Sequence, residues 1–267
     1  MRDHLDLLDE FRRRVGMRRA AAYQNTDRME EETKEKRFSC VSFPGIKNLW
    51  SIIAMAKIIL EGIVDPRILL CWFDPLWAPR KLAEIGLKLL DVIEFREEEV
   101  KYAEETYPGQ VYNWIKAHPI RDEWPVAPGT YHLIVVNTLL QHLNEQNLAI
   151  FLNKLRRVAR GDAKMILIFK SLPKGDLREY LDSIGQKNAV IHDVQSGDVT
   201  IFEKKLGEMK DLILHNPENV LRIAQGAGWD LVAETAEIPS KITFRSGKKL
   251  PHCVYLLKAI SPVMEAN

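Results

Sequence analysis

Apolar residues in this chain alternate between short continuous runs and amphipathic stripes, most clearly between residues 131 and 169. Tyr131 to Asn137 is a run rich in β-branched residues, which predicts a buried strand. A helix is predicted to begin after its N-cap Asn144 and to end at Gly161, followed by a strand over 163–169. The apolar stripe of that helix contains Leu148, Phe151, Leu152, Leu155 and Val158. Strand, helix and strand in this order predict a right-handed crossover in a parallel sheet.

The same patterns predict further elements along most of the chain. Strands are expected over 67–73, 88–95, 111–117, 229–238 and 253–260. Helices are expected over 79–85, over 96–106 and from Pro217, where Asn216 is the N-cap and proline occupies the first helical position. Between 170 and 216 we expect an insertion with two helical pieces and a short strand at 198–202. The alternation predicts an α/β fold, doubly wound, with a mostly parallel seven-stranded sheet.

The first part of the chain is expected to be a separate helical unit. Residues 1–64 are predicted to form a helical extension or lid, and residues 65–267 a Rossmann-like domain that contains the insertion. Leu49 to Ile63 is nearly all apolar, but it is about five residues shorter than the ~20 needed to cross a bilayer, and Lys57 interrupts it. We therefore expect a buried helix and no membrane association.

Composition narrows the setting without naming a function. The 267 residues include 38 basic and 37 acidic side chains, a net charge of +1, so charge gives no reason to expect a nucleic acid partner. The three cysteines (Cys40, Cys71 and Cys253) are far apart, which is typical of a reduced cytoplasmic protein and offers no metal site. The first residues lack a secretory pattern, so a cytoplasmic location is expected. The oligomeric state stays open.

Three stretches of this chain resemble the class I S-adenosylmethionine-dependent methyltransferases. Residues 131–168 look like that family's fourth strand, following helix and fifth strand. Residues 217–238 with 252–260 look like its closing helix and antiparallel strand pair, and residues 88–105 like its second strand with an acidic residue at the tip. The resemblance covers roughly 65–169 and 217–260. It implies S-adenosylmethionine as cofactor and methyl transfer to a small molecule, with aminocarboxypropyl transfer or cyclisation as variants.

One segment departs from the family pattern. The family has a glycine-rich loop after its first strand, whereas residues 70–77 here read Leu-Cys-Trp-Phe-Asp-Pro-Leu-Trp. The missing glycines also argue against a nicotinamide-dependent dehydrogenase. Two hypotheses therefore stay open: a transferase in which Trp72 and Phe73 line the cofactor site, and a cofactor-free scaffold in which Trp72, Phe73 and Trp77 fill it.

The resemblance assigns candidate cofactor contacts to the ends of the predicted strands. Glu94, at the end of the second strand, is expected to accept both ribose hydroxyls, although a solvated strand end is the alternative. Asp74 is expected to face the cofactor's ammonium group, or to act only as the N-cap before Pro75. His118 and Ile120 follow the third strand, where the family contacts adenine.

The remaining candidates concern the transfer itself. Asn137 and Thr138 end the fourth strand, next to the expected position of the methyl group. His142 is a candidate general base because histidine titrates near neutral pH, with a supporting role as the alternative. Tyr23 is expected to close over the pocket, since an aromatic face suits a sulfonium cation.

Overall fold

The computed structural model describes residues 53, 55–71, 82, 86–94, 97–106, 108–109, 111–137, 139–172, 191–193, 198–205, 208–239 and 251–260. Residues 55–59 are helical, in agreement with the buried helix expected near 49–63. The rest of the predicted helical extension, and all but Leu82 of the helix expected at 79–85, lie outside the described residues.

Seven strands form the main sheet: β1 (Arg67–Cys71), β2 (Leu89–Ile93), β3 (Asn113–Ile115), β4 (Tyr131–Asn137), β5 (Ala159–Lys170), β9 (Trp229–Pro239) and β10 (Pro251–Ala259). Their spatial order is β3-β2-β1-β4-β5-β10-β9. The first five strands pair in parallel, and β10 is antiparallel to both β5 and β9. The predicted fold class is confirmed, including the single antiparallel strand between its neighbours.

In the described parts of the chain, helices and a 3-10 turn connect these strands. The helices are α1 (Glu97–Thr106), α2 (Glu145–Val158) and α3 (Pro217–Gly226), and the 3-10 turn spans Leu140–His142. The predicted N-caps are confirmed: the Asn144 side-chain oxygen accepts the N–H of Asn147 at 2.9 Å, and that of Asn216 accepts the N–H of Glu218 at 3.0 Å. Each cap satisfies a backbone donor that the first helical turn leaves unpaired.

The predicted end of α2 is wrong. Gly161 does not end the helix, which stops at Val158, and the Ala159 N–H donates to the Leu155 carbonyl. Ala159 already pairs with Tyr131 as the first residue of β5. The early pairing with β4 removes the residues that the helix would need to continue to a glycine cap.

Successive side chains along the central strands point to opposite faces of the sheet and pack into two separate cores. Leu69 and Cys71 face the core that contains α2 and α3, whereas Ile68 and Leu70 face the core that contains the 53–60 segment. This two-sided burial explains the continuous apolar runs, because neither face of a doubly wound sheet meets water. Full burial of each large apolar side chain contributes about 1.5–3 kcal/mol before entropy is counted.

The insertion differs from its prediction. It contains a three-stranded antiparallel sheet, formed by β6 (Ile191–Asp193), β7 (Val199–Lys205) and β8 (Glu208–Leu214). The strand expected at 198–202 is present as part of β7, but its two neighbours were not expected. Residues 173–190, where helical structure was also expected, lie outside the described ranges. In the part of the chain that the structure describes, no helix has the length and apolarity needed to cross a bilayer.

Candidate functional site

The register of the central strands brings two of the predicted site residues to the same edge of the sheet. Cys71, the last residue of β1, pairs with Ile93 of β2 on one side and with Val136 of β4 on the other. Glu94 and Asn137 each follow these partners directly, so they lie level with one another on either side of β1. Two strand spacings separate their backbones by roughly 10 Å. Open α/β sheets bind their ligands at this carboxyl edge, where the strand order reverses.

Glu94 is a buried carboxylate at the end of β2. Its side chain is 1% exposed, and its backbone N–H donates to the Ile115 carbonyl at 3.1 Å, which extends the pairing of β2 with β3 by one residue. An ionised carboxylate has about four acceptor positions and no donor. Glu94 is therefore suited to a ligand group that carries several hydroxyl donors.

The loop after β3 is organised around the His118 ring. Nδ1 of His118 accepts the backbone N–H groups of Ile120 at 3.1 Å and Arg121 at 3.2 Å. Burial, together with the nearby Arg121 charge, lowers the pKa of His118, against an opposing effect of Asp122. A neutral ring with an accepting Nδ1 carries its hydrogen on Nε2. His118 would thus meet a ligand as a hydrogen-bond donor.

Lys154 of α2 holds the same loop from below. Its ammonium group donates to the carbonyl oxygens of Ile120 at 2.6 Å and Asp122 at 2.7 Å, and lies 5.9 Å from the centre of the Trp124 ring. Ile120, partly buried, packs against the larger core. This anchor leaves no signal in the sequence pattern, because Lys154 is 34 and 32 residues away from its two acceptors.

Two buried amide oxygens belong to the last residue of β4 and to the 3-10 turn that follows it. Asn137 is 4% exposed and Gln141 is 6% exposed, and neither the Asn137 Oδ1 nor the Gln141 Oε1 has a hydrogen-bond partner in the described structure. A buried acceptor without a partner costs about 1–3 kcal/mol. A ligand that brings hydrogen-bond donors to this turn would recover part of that cost.

His142 is exposed and sits at the end of the 3-10 turn. Its Nε2 lies 3.1 Å from the Gln141 Nε2, so the Gln141 amide can donate to the ring. In that tautomer Nδ1 carries the hydrogen, and the Nε2 lone pair is shared with the amide. A proton acceptor role for His142 would therefore compete with this hydrogen bond.

Several predicted site residues cannot be placed. Tyr23, Trp72, Phe73, Asp74 and Thr138 lie outside the described residues. Within the described ranges, no group of three or more His, Cys, Asp or Glu side chains is arranged to hold a metal ion. A surface depression beside β3, lined by residues such as Glu104, Tyr112 and Lys116, contains none of the predicted site residues.

A buried pair that was not among the predicted site residues, His215 and Asp198, contacts the turn after β4. His215 Nδ1 lies 2.8 Å from the Asp198 Oδ2, and its Nε2 lies 2.7 Å from the Leu140 carbonyl oxygen. The only local signal was the position of His215 beside the Asn216 cap of α3. Nothing in the sequence pattern links it to Leu140, which is 75 residues away.

A second buried carboxylate, Asp91, lies on β2 nearer the opposite edge of the sheet. Its Oδ2 accepts hydrogen bonds from Arg67 at 2.9 Å and from the Tyr131 hydroxyl at 2.7 Å. Burial and the hydrogen bond to Asp91 raise the pKa of Tyr131, so the hydroxyl stays a donor. Asp91 thus has protein donors of its own and was not among the predicted site residues.

No protein-family model matches the sequence, and no curated protein matches it significantly. Solved structures do match the fold. A methyltransferase from Clostridium acetobutylicum that depends on S-adenosylmethionine is 11% identical, with a TM-score of 0.54 over 90% of this chain and 99% of that one. A second such enzyme, from Methanosarcina mazei, is 14% identical, with a TM-score of 0.55 over 73% and 93%.

A third structure contains bound ligands. The 1,6-didemethyltoxoflavin-N1-methyltransferase from Burkholderia thailandensis, with 1,6-didemethyltoxoflavin and S-adenosylhomocysteine, is 10% identical, with a TM-score of 0.52 over 77% of this chain and 76% of that one. These likenesses establish that the chain has a class I methyltransferase-like fold, in agreement with the resemblance found in the sequence.

Proposed function

We propose that this protein is an S-adenosylmethionine-dependent transferase that moves a methyl group to a small molecule. The observation that carries the proposal is the carboxyl edge of the sheet, where Glu94 and Asn137 lie level on either side of β1 in a fold shared with such enzymes. The cofactor follows from the same neighbours, of which one was solved with S-adenosylhomocysteine.

The side chains at this edge match the donors of the cofactor. S-adenosylmethionine supplies a methyl group bonded to a positively charged sulfur. The Glu94 carboxylate would accept hydrogen bonds from the two ribose hydroxyls. Ile120 and His118 would lie beside the adenine. Asn137 Oδ1, a buried acceptor with no partner among the described residues, would lie near the reacting end. Trp72, Phe73, Asp74 and Thr138 stay candidates for the same site.

A small-molecule acceptor is favoured over a macromolecule. The net charge of +1 provides no field that would attract nucleic acid, and the Burkholderia neighbour acts on a small heterocycle. Methyl transfer depends mainly on alignment of the acceptor with the methyl group, so it needs no catalytic dyad. His142 is our candidate for taking the acceptor's proton, and Tyr23 for closing the pocket.

A calorimetric titration with S-adenosylhomocysteine tests the proposal. We expect binding by the parent protein, and an affinity lower by about ten- to a hundred-fold in Glu94→Ala, because a hydrogen bond to a charged group contributes about 1.5–3 kcal/mol. Asp162→Ala is the matched control, since it removes a carboxylate that is 80% exposed at the start of β5. Equal affinities in the two variants would reject the role of Glu94.

The same titration separates the remaining hypotheses. A parent protein that binds no cofactor would favour the scaffold, in which Trp72, Phe73 and Trp77 fill the space. For a protein that does bind, incubation with S-adenosylmethionine and an acceptor library identifies the transferred group. S-adenosylhomocysteine as product indicates methyl transfer, whereas methylthioadenosine indicates attack on another sulfonium carbon.

A further inference from the structure

The buried pair His215 and Asp198 has no role in the proposed chemistry, yet it is among the least exposed polar groups in the described structure. His215 is 0% exposed and Asp198 is 2% exposed. Both ring nitrogens of His215 are engaged, one with a carboxylate and one with a carbonyl. Burial of two ionisable side chains costs free energy unless their hydrogen bonds are complete.

The hydrogen-bond partners of the pair limit where its protons can lie. Asp198 Oδ1 accepts the backbone N–H of Asn216 at 2.7 Å, and Oδ2 is 3.5 Å from the side-chain nitrogen of Asn219. Asp198 is thus surrounded by donors, and the Leu140 carbonyl can only accept. With the Nε2 hydrogen donated to the Leu140 carbonyl, a second proton is shared between Nδ1 and the Asp198 Oδ2, and the donors around Asp198 suit an ionised carboxylate beside an imidazolium.

His215 holds a specific main-chain atom of the turn after β4. The Leu140 carbonyl that it contacts also accepts the Leu143 N–H at 2.8 Å, the hydrogen bond that closes the 3-10 turn. Gln141 and His142 follow Leu140 directly, so the orientation of the Leu140 peptide sets where their side chains begin. The turn is therefore held on its buried side by the Nε2–H of His215.

The same residue joins the turn to the insertion and to β5. Asp198 immediately precedes β7, and His215 immediately follows β8. The His215 backbone donates to the Lys170 carbonyl at 3.1 Å and accepts the Leu172 N–H at 3.0 Å. The turn, the insertion and the end of β5 consequently meet at His215, whose ring contacts the turn and whose backbone pairs with β5.

We propose that His215 and Asp198 form a buried ion pair that positions the turn Leu140–His142 and couples it to the insertion. The turn and the insertion would then form the side of the site that binds the methyl acceptor. The assignment of that side rests on the proposed function. His215 is a positioning residue in this account, since it reaches the site only through the Leu140 carbonyl.

Nitrogen NMR of the parent protein tests the protonation without any variant. With 15N-labelled histidine at pH 7, the His215 ring should show two N–H correlations and two nitrogen shifts in the protonated range. His118, whose Nδ1 accepts two backbone N–H groups, provides an internal reference for a ring with one bare nitrogen. A bare nitrogen on His215 would overturn the ion pair.

Amide hydrogen exchange tests the positioning role. In His215→Gln and in Asp198→Asn, the amides of His142 and Leu143, which close the turn, should exchange about ten- to a hundred-fold faster than in the parent. His132→Gln is the control, because His132 accepts a backbone N–H at the other end of the sheet. The double variant should exchange at nearly the single-variant rate, since each partner acts through the other.

The outcomes separate this proposal from the proposed function. Unchanged turn amides, or a faster rate shared equally with the amides of β1, would overturn the positioning role. Should His215→Gln fail to fold, Asp198→Asn and the parent spectrum still decide. Affinity for S-adenosylhomocysteine should stay within about threefold of the parent, because the pair does not contact the cofactor side. A parent that shows the imidazolium but binds no cofactor would reject the proposed function alone.

Discussion

Asp91 and Glu94 are two buried carboxylates that occupy different positions relative to the ends of β2. Asp91 and Glu94 belong to the same stretch of chain, and each is 1% exposed. Asp91 lies within β2 and receives the Arg67 guanidinium and the Tyr131 hydroxyl. Glu94 lies one residue beyond β2, at the edge where strand order reverses. Burial alone therefore does not distinguish the two carboxylates, whereas their position relative to the strand ends does, and it is the reason for proposing Glu94 as a ligand contact.

The histidines repeat this contrast. His132, near the start of β4, accepts the Arg67 backbone N–H at 3.1 Å, and so connects β4 to β1. His118, after β3, uses its Nδ1 to shape a loop at the opposite edge. One ring joins strands within the sheet, and the other orders the loop that follows β3. Substitutions at the edge where the parallel strands begin are accordingly expected to lower the stability of the fold. Substitutions at the carboxyl edge, where these strands end, are expected to weaken cofactor binding.

The largest effect on stability is expected from Asp91→Ala. The substitution leaves the Tyr131 hydroxyl buried and the Arg67 guanidinium without its partner. Loss of one member of a fully buried pair costs about 3–5 kcal/mol, but Arg67 is 37% exposed and partly screened, so we expect about 2 kcal/mol. Urea denaturation measures this change. A stable variant with weakened binding of S-adenosylhomocysteine would reverse the assignment of the two edges.

A smaller effect is expected on acidification. Burial is the main cause that lowers the pKa of both His118 and His132, with Arg121 and Arg160 adding to it. Because the folded pKa lies below the unfolded value, each ring contributes stability that is present above about pH 6.5 and is lost as the pH falls through the folded pKa.

Proton NMR titration distinguishes the two rings. Both should titrate below the ordinary range of histidine, and saturation with S-adenosylhomocysteine should change the resonances and midpoint of His118 only. The His132 ring, at the distant edge, is the built-in reference. A ligand response confined to His132 would place the site at the wrong edge of the sheet.

The smallest effect is expected at the cysteines. Burial raises the pKa of the Cys71 thiol well beyond its ordinary range, and burial together with Glu234 raises the pKa of Cys253 to about 12. Neither thiol should react with iodoacetamide in the native protein at pH 8, and both should react in urea, as mass spectrometry would detect. Rapid native alkylation of Cys71 would mean that the carboxyl edge is open down to β1.

The unit from β4 to β5 shows what the sequence can predict. Its first strand matches the predicted bounds Tyr131–Asn137, and the N-cap Asn144 was identified correctly, because apolar runs and cap residues are local signals. The helix end was wrong because cross-strand pairing of Ala159 with Tyr131 overrides the local preference of Gly161. Boundaries depend on tertiary partners more than element types do.

The candidate site was only partly accessible to sequence reasoning. The position of Glu94 and Asn137 at the carboxyl edge was predictable because strand ends are visible in the hydrophobic pattern, and their contact with a cofactor stays a prediction. Lys154 and His215 were missed because their partners are the main-chain carbonyls of Ile120 and Leu140, far away in the chain. Every residue has a carbonyl, so such contacts leave no compositional trace.

A crystal structure with S-adenosylhomocysteine would show directly whether the carboxyl edge of β2, β1 and β4 holds the cofactor. We expect the ribose hydroxyls within hydrogen-bonding distance of the Glu94 carboxylate, the adenine beside Ile120 and the cofactor sulfur toward Asn137. A structure in which Trp72 and Phe73 fill that edge and the ligand is absent, or bound elsewhere, would exclude this site.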